Sequence, residues 1–274
     1  MGTVVVTGRP GRQLSTLLHA LGAGRRALPP LPPLPPPVAG DVGAVRRVVA
    51  LFGADRPVQA DPTTCGSAAL VMLAAAGDPR VARWLATGEA EPGASTAPEL
   101  GWLDQTVLDG AHQATPTTRF GALQQAVKVR SNRRALLGLS WPSGLGTPPW
   151  GAQRVARFGA VRYAHRLLVD TSPGQSGPLL DHAIASARRG LPVPFYTGGD
   201  TRGGLGAAVP RHVVVLTSPD GVALEVYEPS VGRMLAITPD ELAQGGSSRP
   251  AYGNWSHVTW VLLPVAPDRS PPPG

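Results

Sequence analysis

The run from Gln59 to Gly77, QADPTTCGSAALVMLAAAG, limits what this chain can fold into more than any other stretch. From Ala68 to Ala76 it is apolar on every side. A helix with no polar face is stable only when protein surrounds it, so the segment predicts a buried central helix to which the rest of a domain is fitted. Thr63 or Thr64 is its N-cap, Cys65 falls in the first turn, and Gly77 closes it as a C′ residue. Cys65 is the only cysteine in the chain. Unpaired N–H groups and a partial positive charge at a helix start favour an anion, which prepares a sulfur there as a thiolate nucleophile. Gln59, just upstream, carries a side-chain amide able to donate, together with a backbone N–H, to an oxyanion forming beside that sulfur. On this stretch alone a second reading stays open, in which Cys65 is a small buried side chain of a core helix.

Length and composition narrow the setting. The chain has 274 residues, enough for one large domain or two small ones and for a sizeable core, and its 42% apolar content fits a globular protein. A single cysteine can form no internal disulfide. The N-terminus, MGTVVVTGRPGRQL, lacks a basic leader region, and no stretch reaches the apolar length of a membrane span, so the expected compartment is the cytoplasm. The net charge of +7 raises the question of a nucleic-acid partner. Its distribution argues against one: the arginines come in scattered pairs, Lys128 is the only lysine, and no basic stripe is interleaved with aromatic residues.

Taken in order, residues 1–40 hold a strand at 3–8, a short helix at 14–21 and a polyproline arm, ALPPLPPLPPPVAG, read as a stiff spacer. GRPGRQLST after the first strand lacks the second glycine and the lysine of a phosphate-binding loop in register. Residues 41–264 form the main domain. Asp78 to Thr87 is a second helix with Val81, Trp84 and Leu85 on one side. A helix is expected within Ser95 to Asp109, another over Phe120 to Val129, and a third from about Gly151 after the Pro/Gly-rich loop that starts at Trp141. From Gly177 the pattern changes to an amphipathic helix ended by Gly190, a strand LPVPFYTGG, and a meander PRHVVVLTSPDGVALEVYEPSVGRMLAI turning at Asp220-Gly221. NWSHVTWVLLP adds a last strand, and residues 265–274 form a disordered tail.

The meander brings two chemically telling residues together. His212 opens one strand and Glu228 closes its antiparallel partner, so the outer ends of the pair meet. A carboxylate there can hold the imidazole by one nitrogen while the other nitrogen faces a thiol, the division of labour a Cys-His nucleophile needs. Among the other histidines, His182 and His165 are expected at the surface or an edge of helical segments, and His257 on the last strand is the one rival base. No His, Cys, Asp and Glu fall at metal-ligand spacing, and no cofactor is expected.

These motifs resemble the papain-like cysteine peptidases, and within them the bacterial C39-like, bacteriocin-processing branch. The likeness rests on D-x-x-x-C-G-S-A-A-L-x-M from Asp61, on PVPFY leading to H-V-V-V-L at His212, and on E-P-S-x-G at Glu228, where that branch has D-P-x-x-G. It covers residues 59–76 and about 177–244. The resemblance implies Cys65 as nucleophile, His212 as general base and acid, Glu228 as orienting residue and Gln59 as oxyanion donor. It also implies a papain-like α+β fold, with a helical half led by the cysteine helix packed on an antiparallel sheet and a helical insertion over about 78–170. The implied activity is hydrolysis of a bond in a peptide or protein substrate through a Cys65 thioester. A thiol acyltransferase and a catalytically silent peptide-binding module of the same fold are the alternatives. The sequence leaves the substrate and the oligomeric state open.

Overall fold

A computed structural model of the chain describes residues 30–36, 42–90, 96–168, 173–199, 212–244 and 246–265. The strand at 3–8, the helix at 14–21, the glycine-rich loop at 200–207 and the tail after 265 lie outside the described residues. Among the described residues six α-helices come first: α1 (Ala44–Ala50), α2 (Cys65–Gly77), α3 (Pro79–Thr87), α4 (Gln105–Asp109), α5 (Pro116–Asn132) and α6 (Pro149–Val155). Strands β1 (Arg157–Phe158) and β2 (Val161–Leu167) follow, then helix α7 (Pro173–Arg188). The chain then adds β3 (Val193–Gly198), β4 (His212–Thr217), β5 (Leu224–Glu228), β6 (Arg233–Ile237), α8 (Pro239–Ala243) and β7 (His257–Val265). The strands form one antiparallel sheet in the order β1-β2-β7-β3-β4-β5-β6, so the protein is of mixed helix and antiparallel-sheet class.

Helix α2 is the centre of one core. Every residue from Cys65 to Ala75 is buried, as an all-apolar helix requires. Its two glycines let neighbours approach. A Cβ on Gly66 would stand 2.8 Å from Cβ of Thr147, and one on Gly77 would stand 2.6 Å from the carbonyl carbon of Phe158. Gly77 is therefore the last helical residue, with extended Asp78 after it, rather than the left-handed C′ residue expected; close packing, not a turn, selects glycine there. Asp78 instead caps α3, accepting from the backbone N–H of Arg80 at 3.0 Å, and Val81, Trp84 and Leu85 are the buried side of that helix as expected.

The sheet is covered on both faces. Val213, Val215, Tyr227 and Leu262 pack into the core around α2, while Val214, Leu216, Val226 and Leu263 pack into a second core with Leu179, Ala183 and Ile184 of α7. Strands buried on both sides read as unbroken apolar runs, which is why HVVVL shows no polar alternation.

Three further expectations are corrected. Residues 157–167, expected within a helical insertion, form β1 and β2, and β2 pairs with β7 in the main sheet. His165 accordingly lies on a strand. His182, expected at the surface or an edge, is buried on α7, and burial followed by the charges of Arg189 and Arg166 lowers its pKa. The helix expected within 95–109 is broken into a 3-10 turn, Leu100–Trp102, and the short α4, with Leu103 and Asp104 extended between them. The local pattern is overridden there by a tertiary contact: Glu99, at the head of the turn, is buried as a partner of Arg157, whose Nε donates to it at 2.6 Å.

Candidate active site

The loop from Gln59 to Thr64 delivers Cys65 to the first position of α2. Thr64 is the N-cap, but its hydroxyl turns back: it donates to the carbonyl of Asp61 at 2.9 Å and accepts from the Asp61 N–H at 2.9 Å. The Asp61 carboxylate accepts from the N–H and hydroxyl of Thr63 at 2.7 and 2.5 Å, and from Gln125 of α5 at 3.1 Å. Lys128, nearly buried on α5, donates to the Thr63 hydroxyl. The helix start is thus held without a side-chain cap on its own N–H groups.

His212 and Glu228 meet at the end of the β4–β5 pair. The register sets Val215 opposite Tyr227. Continued by one pair it sets Glu228 opposite Val214, so His212 is the diagonal neighbour of Glu228 on the same face. Nε2 of His212 is hydrogen-bonded to Oε1 of Glu228, and the same histidine side chain is hydrogen-bonded to Cys65. With Nε2 taken by the carboxylate, Nδ1 is the ring nitrogen left for the sulfur. All three residues are close to fully buried, with relative exposures of 6% for Cys65, 7% for His212 and 1% for Glu228.

Burial by itself would strip the proton from His212. The hydrogen bonds and negative charge of Cys65 and Glu228 outweigh it, and the imidazole pKa rises to about 9. Glu228 moves the other way. Its burial favours the neutral acid, but hydrogen bonds from His212 and Ser230 hold the carboxyl below its ordinary value. Ser230 supplies both its hydroxyl, at 2.6 Å, and its N–H, at 3.0 Å, and the Val231 N–H adds a third donor at 3.1 Å. The extra methylene of a glutamate is therefore accommodated by the turn that follows β5.

Gln59 is tied to the same turn through its backbone N–H, which donates to the carbonyl of Pro229 at 2.8 Å. Its side-chain Nε2 donates to the Asp61 carbonyl at 3.0 Å, and its Oε1 is buried with no hydrogen-bond partner. Swapping the two amide atoms would set oxygen against oxygen at Asp61, so the orientation is fixed and one N–H remains beyond the Asp61 bond. His257, the rival base, bonds Ser256 through Nδ1 at 2.8 Å. The carboxylate and the thiol meet on His212.

Three neighbours were not legible beforehand. Thr147 lies against Gly66 with its hydroxyl buried and without a hydrogen-bond partner. Its carbonyl accepts from the hydroxyl of Tyr196 at 3.1 Å. Burial, with the Cys65 sulfur nearby, pushes that phenol well above its usual pKa. Gly253, in the left-handed region at φ +64, brings bare backbone under the His212 ring. The only sequence signal for it is the Gly-Asn step before the last strand, where Asn254 is left-handed as well.

No protein-family model, curated protein or solved structure matches the chain. Among the described residues, no helix is long and apolar enough to cross a membrane.

Proposed function

We propose that the protein is a cysteine peptidase of papain-like type, resembling the C39-like branch, that cleaves a peptide bond through a thioester at Cys65. The observation that carries this reading is the double engagement of His212, held by Glu228 on Nε2 and bonded to Cys65. A histidine that keeps its proton to about pH 9 beside a thiol at a helix start supports a thiolate–imidazolium pair at neutral pH.

In this reading the sulfur attacks the scissile carbonyl carbon. The electron pair moves to the carbonyl oxygen, which is met by the Cys65 N–H and the remaining N–H of Gln59. The imidazolium gives its proton to the leaving nitrogen as the C–N bond breaks, which leaves a thioester and a neutral ring. His212 then takes a proton from water, the hydroxide oxygen adds to the thioester carbonyl, and the C–S bond breaks to restore the thiolate. An amine in place of that water would make the same site an acyltransferase. A silent binding module is less well supported, because Glu228 reaches the histidine despite its length.

The test follows alkylation of Cys65 by iodoacetamide, mapped by mass spectrometry, in the native chain and in His212→Ala. The native protein should react at about pH 6 at a rate near its rate at pH 8, and the variant at least ~10-fold more slowly at the lower pH. New peptide termini should appear in a peptide mixture treated with the native chain and not with Cys65→Ala. Identical pH profiles for the native chain and His212→Ala, or the same termini from Cys65→Ala, would overturn the reading.

A further inference from the structure

Between α5 and α6 the chain throws out a short arm that the site does not use. Leu136 and Leu139 exchange backbone hydrogen bonds of 2.9 and 2.7 Å, and the two residues between them, Leu137 and Gly138, both have positive φ, 46° and 91°. That is a two-residue hairpin turn of the primed type, in which the first position is normally Asn, Asp or Gly. A leucine in left-handed backbone is strained by its Cβ, and here its side chain recovers nothing from the fold: Leu137 is 101% exposed. Leu139 is 70% exposed and Leu145 63%. The arm is nonetheless firmly mounted. Trp150 donates from Nε1 to the Ala135 carbonyl at 2.6 Å, packs edge-on against Trp141, and Arg154 donates to the carbonyls of Ser131 and Arg133 at 2.9 and 2.7 Å.

The exposed charge at the root of the arm is mainly positive. Residues 110–169 contain nine Arg or Lys and no Asp or Glu; Arg119, Lys128 and Arg157 are buried, whereas Arg130, Arg133 and Arg134 at the root of the arm are exposed, with Asp104 lining the same groove as Arg130 and Arg133. We propose that this arm docks the protein on an anionic lipid surface, with Leu137 and Leu139 entering the headgroup–acyl boundary and the three arginines meeting lipid phosphates. Shape and charge select this partner. A fully exposed tip is convex, whereas a peptide needs a recess to be held. A second copy related by a two-fold axis would bring together like clusters of three arginines, which Asp104 beside each offsets only in part.

The proposal is independent of the chemistry at Cys65 and is tested on the full chain by co-sedimentation with vesicles. With phosphatidylcholine vesicles containing about 30% phosphatidylglycerol, in about 0.1 M salt, the protein should pellet, and pure phosphatidylcholine should hold it at least ~10-fold more weakly. L137D and L139D, both at exposed positions, should each lower the partition coefficient ~10-fold while circular dichroism stays unchanged. Arg133→Glu with Arg134→Glu should lower it too and flatten its salt dependence. Failure of the native chain to pellet with the anionic vesicles, or equal pelleting by L137D, overturns the proposal. A dimer in sedimentation velocity that L137D abolishes would assign the tip to self-association and overturn it as well.

Discussion

The ring of His212 rests directly on Gly253: a Cβ at that position would lie 2.7 Å from Nε2, the nitrogen that Glu228 holds. No side chain fits there without moving the imidazole, and the left-handed backbone at φ +64 adds its own cost of about 1 kcal/mol for any other residue. Gly253→Ala should therefore displace the ring from Cys65 and lower both the neutral-pH alkylation rate and peptide cleavage by at least ~10-fold. Gly101→Ala, where an added methyl meets nothing within 4 Å, should leave both unchanged. Equal rates in the two variants would show that the ring can shift without consequence.

Glu228 is one of the two groups that keep His212 protonated, so its charge sets where activity ends on the alkaline side. The imidazolium is the proton donor to the leaving group, and with a pKa of about 9 it supplies that proton up to roughly pH 9. Glu228→Gln keeps a hydrogen-bonding side chain of the same size but removes the negative charge, which lowers the histidine pKa. The alkaline limb of kcat/KM should move from about pH 9 towards neutrality by about one unit or more. A limb that stays in place would mean that another group sets it.

Much of this site was readable from residue order because its parts sit at the ends of strong local patterns. The all-apolar helix announced its own burial and fixed Cys65 at its start, while Asp220-Gly221 fixed the β4–β5 turn and with it the approach of His212 to Glu228. What was not readable depends on contacts between distant segments. Arg157–Leu167 carries the basic, mixed pattern of a solvated helix, and only the pairing of β2 with β7 and of β1 with β2 makes strands of it. Thr147 and Gly253 reach the site from loops, and neither has a periodic pattern to report its position. Gly77 shows the same limit in miniature: glycine at a helix end suggests a turn, and here it makes room for Phe158.

Gln59 separates two kinds of reactivity at the same sulfur. Peptide hydrolysis builds negative charge on a carbonyl oxygen, and alkylation by iodoacetamide is a displacement at carbon that builds none there. If the free N–H of Gln59 serves the oxyanion, Gln59→Ala should lower kcat/KM by about 100-fold and leave the alkylation rate within about twofold. Its backbone bond to Pro229 survives the substitution, so the loop stays in place. A parallel fall in both rates would assign Gln59 to shaping the loop, since loss of the Asp61 contact would then be the cause.

Far from the thiol, Arg157 ties the helical layer to the sheet. From the short edge strand β1 it reaches two buried carboxylates, donating to Glu99 through Nε at 2.6 Å and to Asp78 through Nη2 at 2.8 Å. Asp78 is also the cap of α3, so one guanidinium fixes the start of that helix and the turn at Leu100 against the strand. Arg157→Met preserves bulk but leaves Glu99 buried without its cation and Asp78 with Arg80 alone, a loss of about 3–5 kcal/mol, which for a chain of this size lowers Tm by about 10 °C. The penalty should depend on pH. Burial of Asp78 opposes its charge, but hydrogen bonds from Arg80 and Arg157 hold its pKa below 3.8, so the stability it gains is full above that value and is lost as pH falls through the lower folded value. The difference in Tm between native protein and R157M should therefore be largest near neutrality and shrink below about pH 4. Adding Glu99→Met to R157M removes one stranded charge and should recover part of the loss. A Tm difference of constant size down to pH 3, with no recovery in the double variant, would show that Arg157 matters for its packing alone.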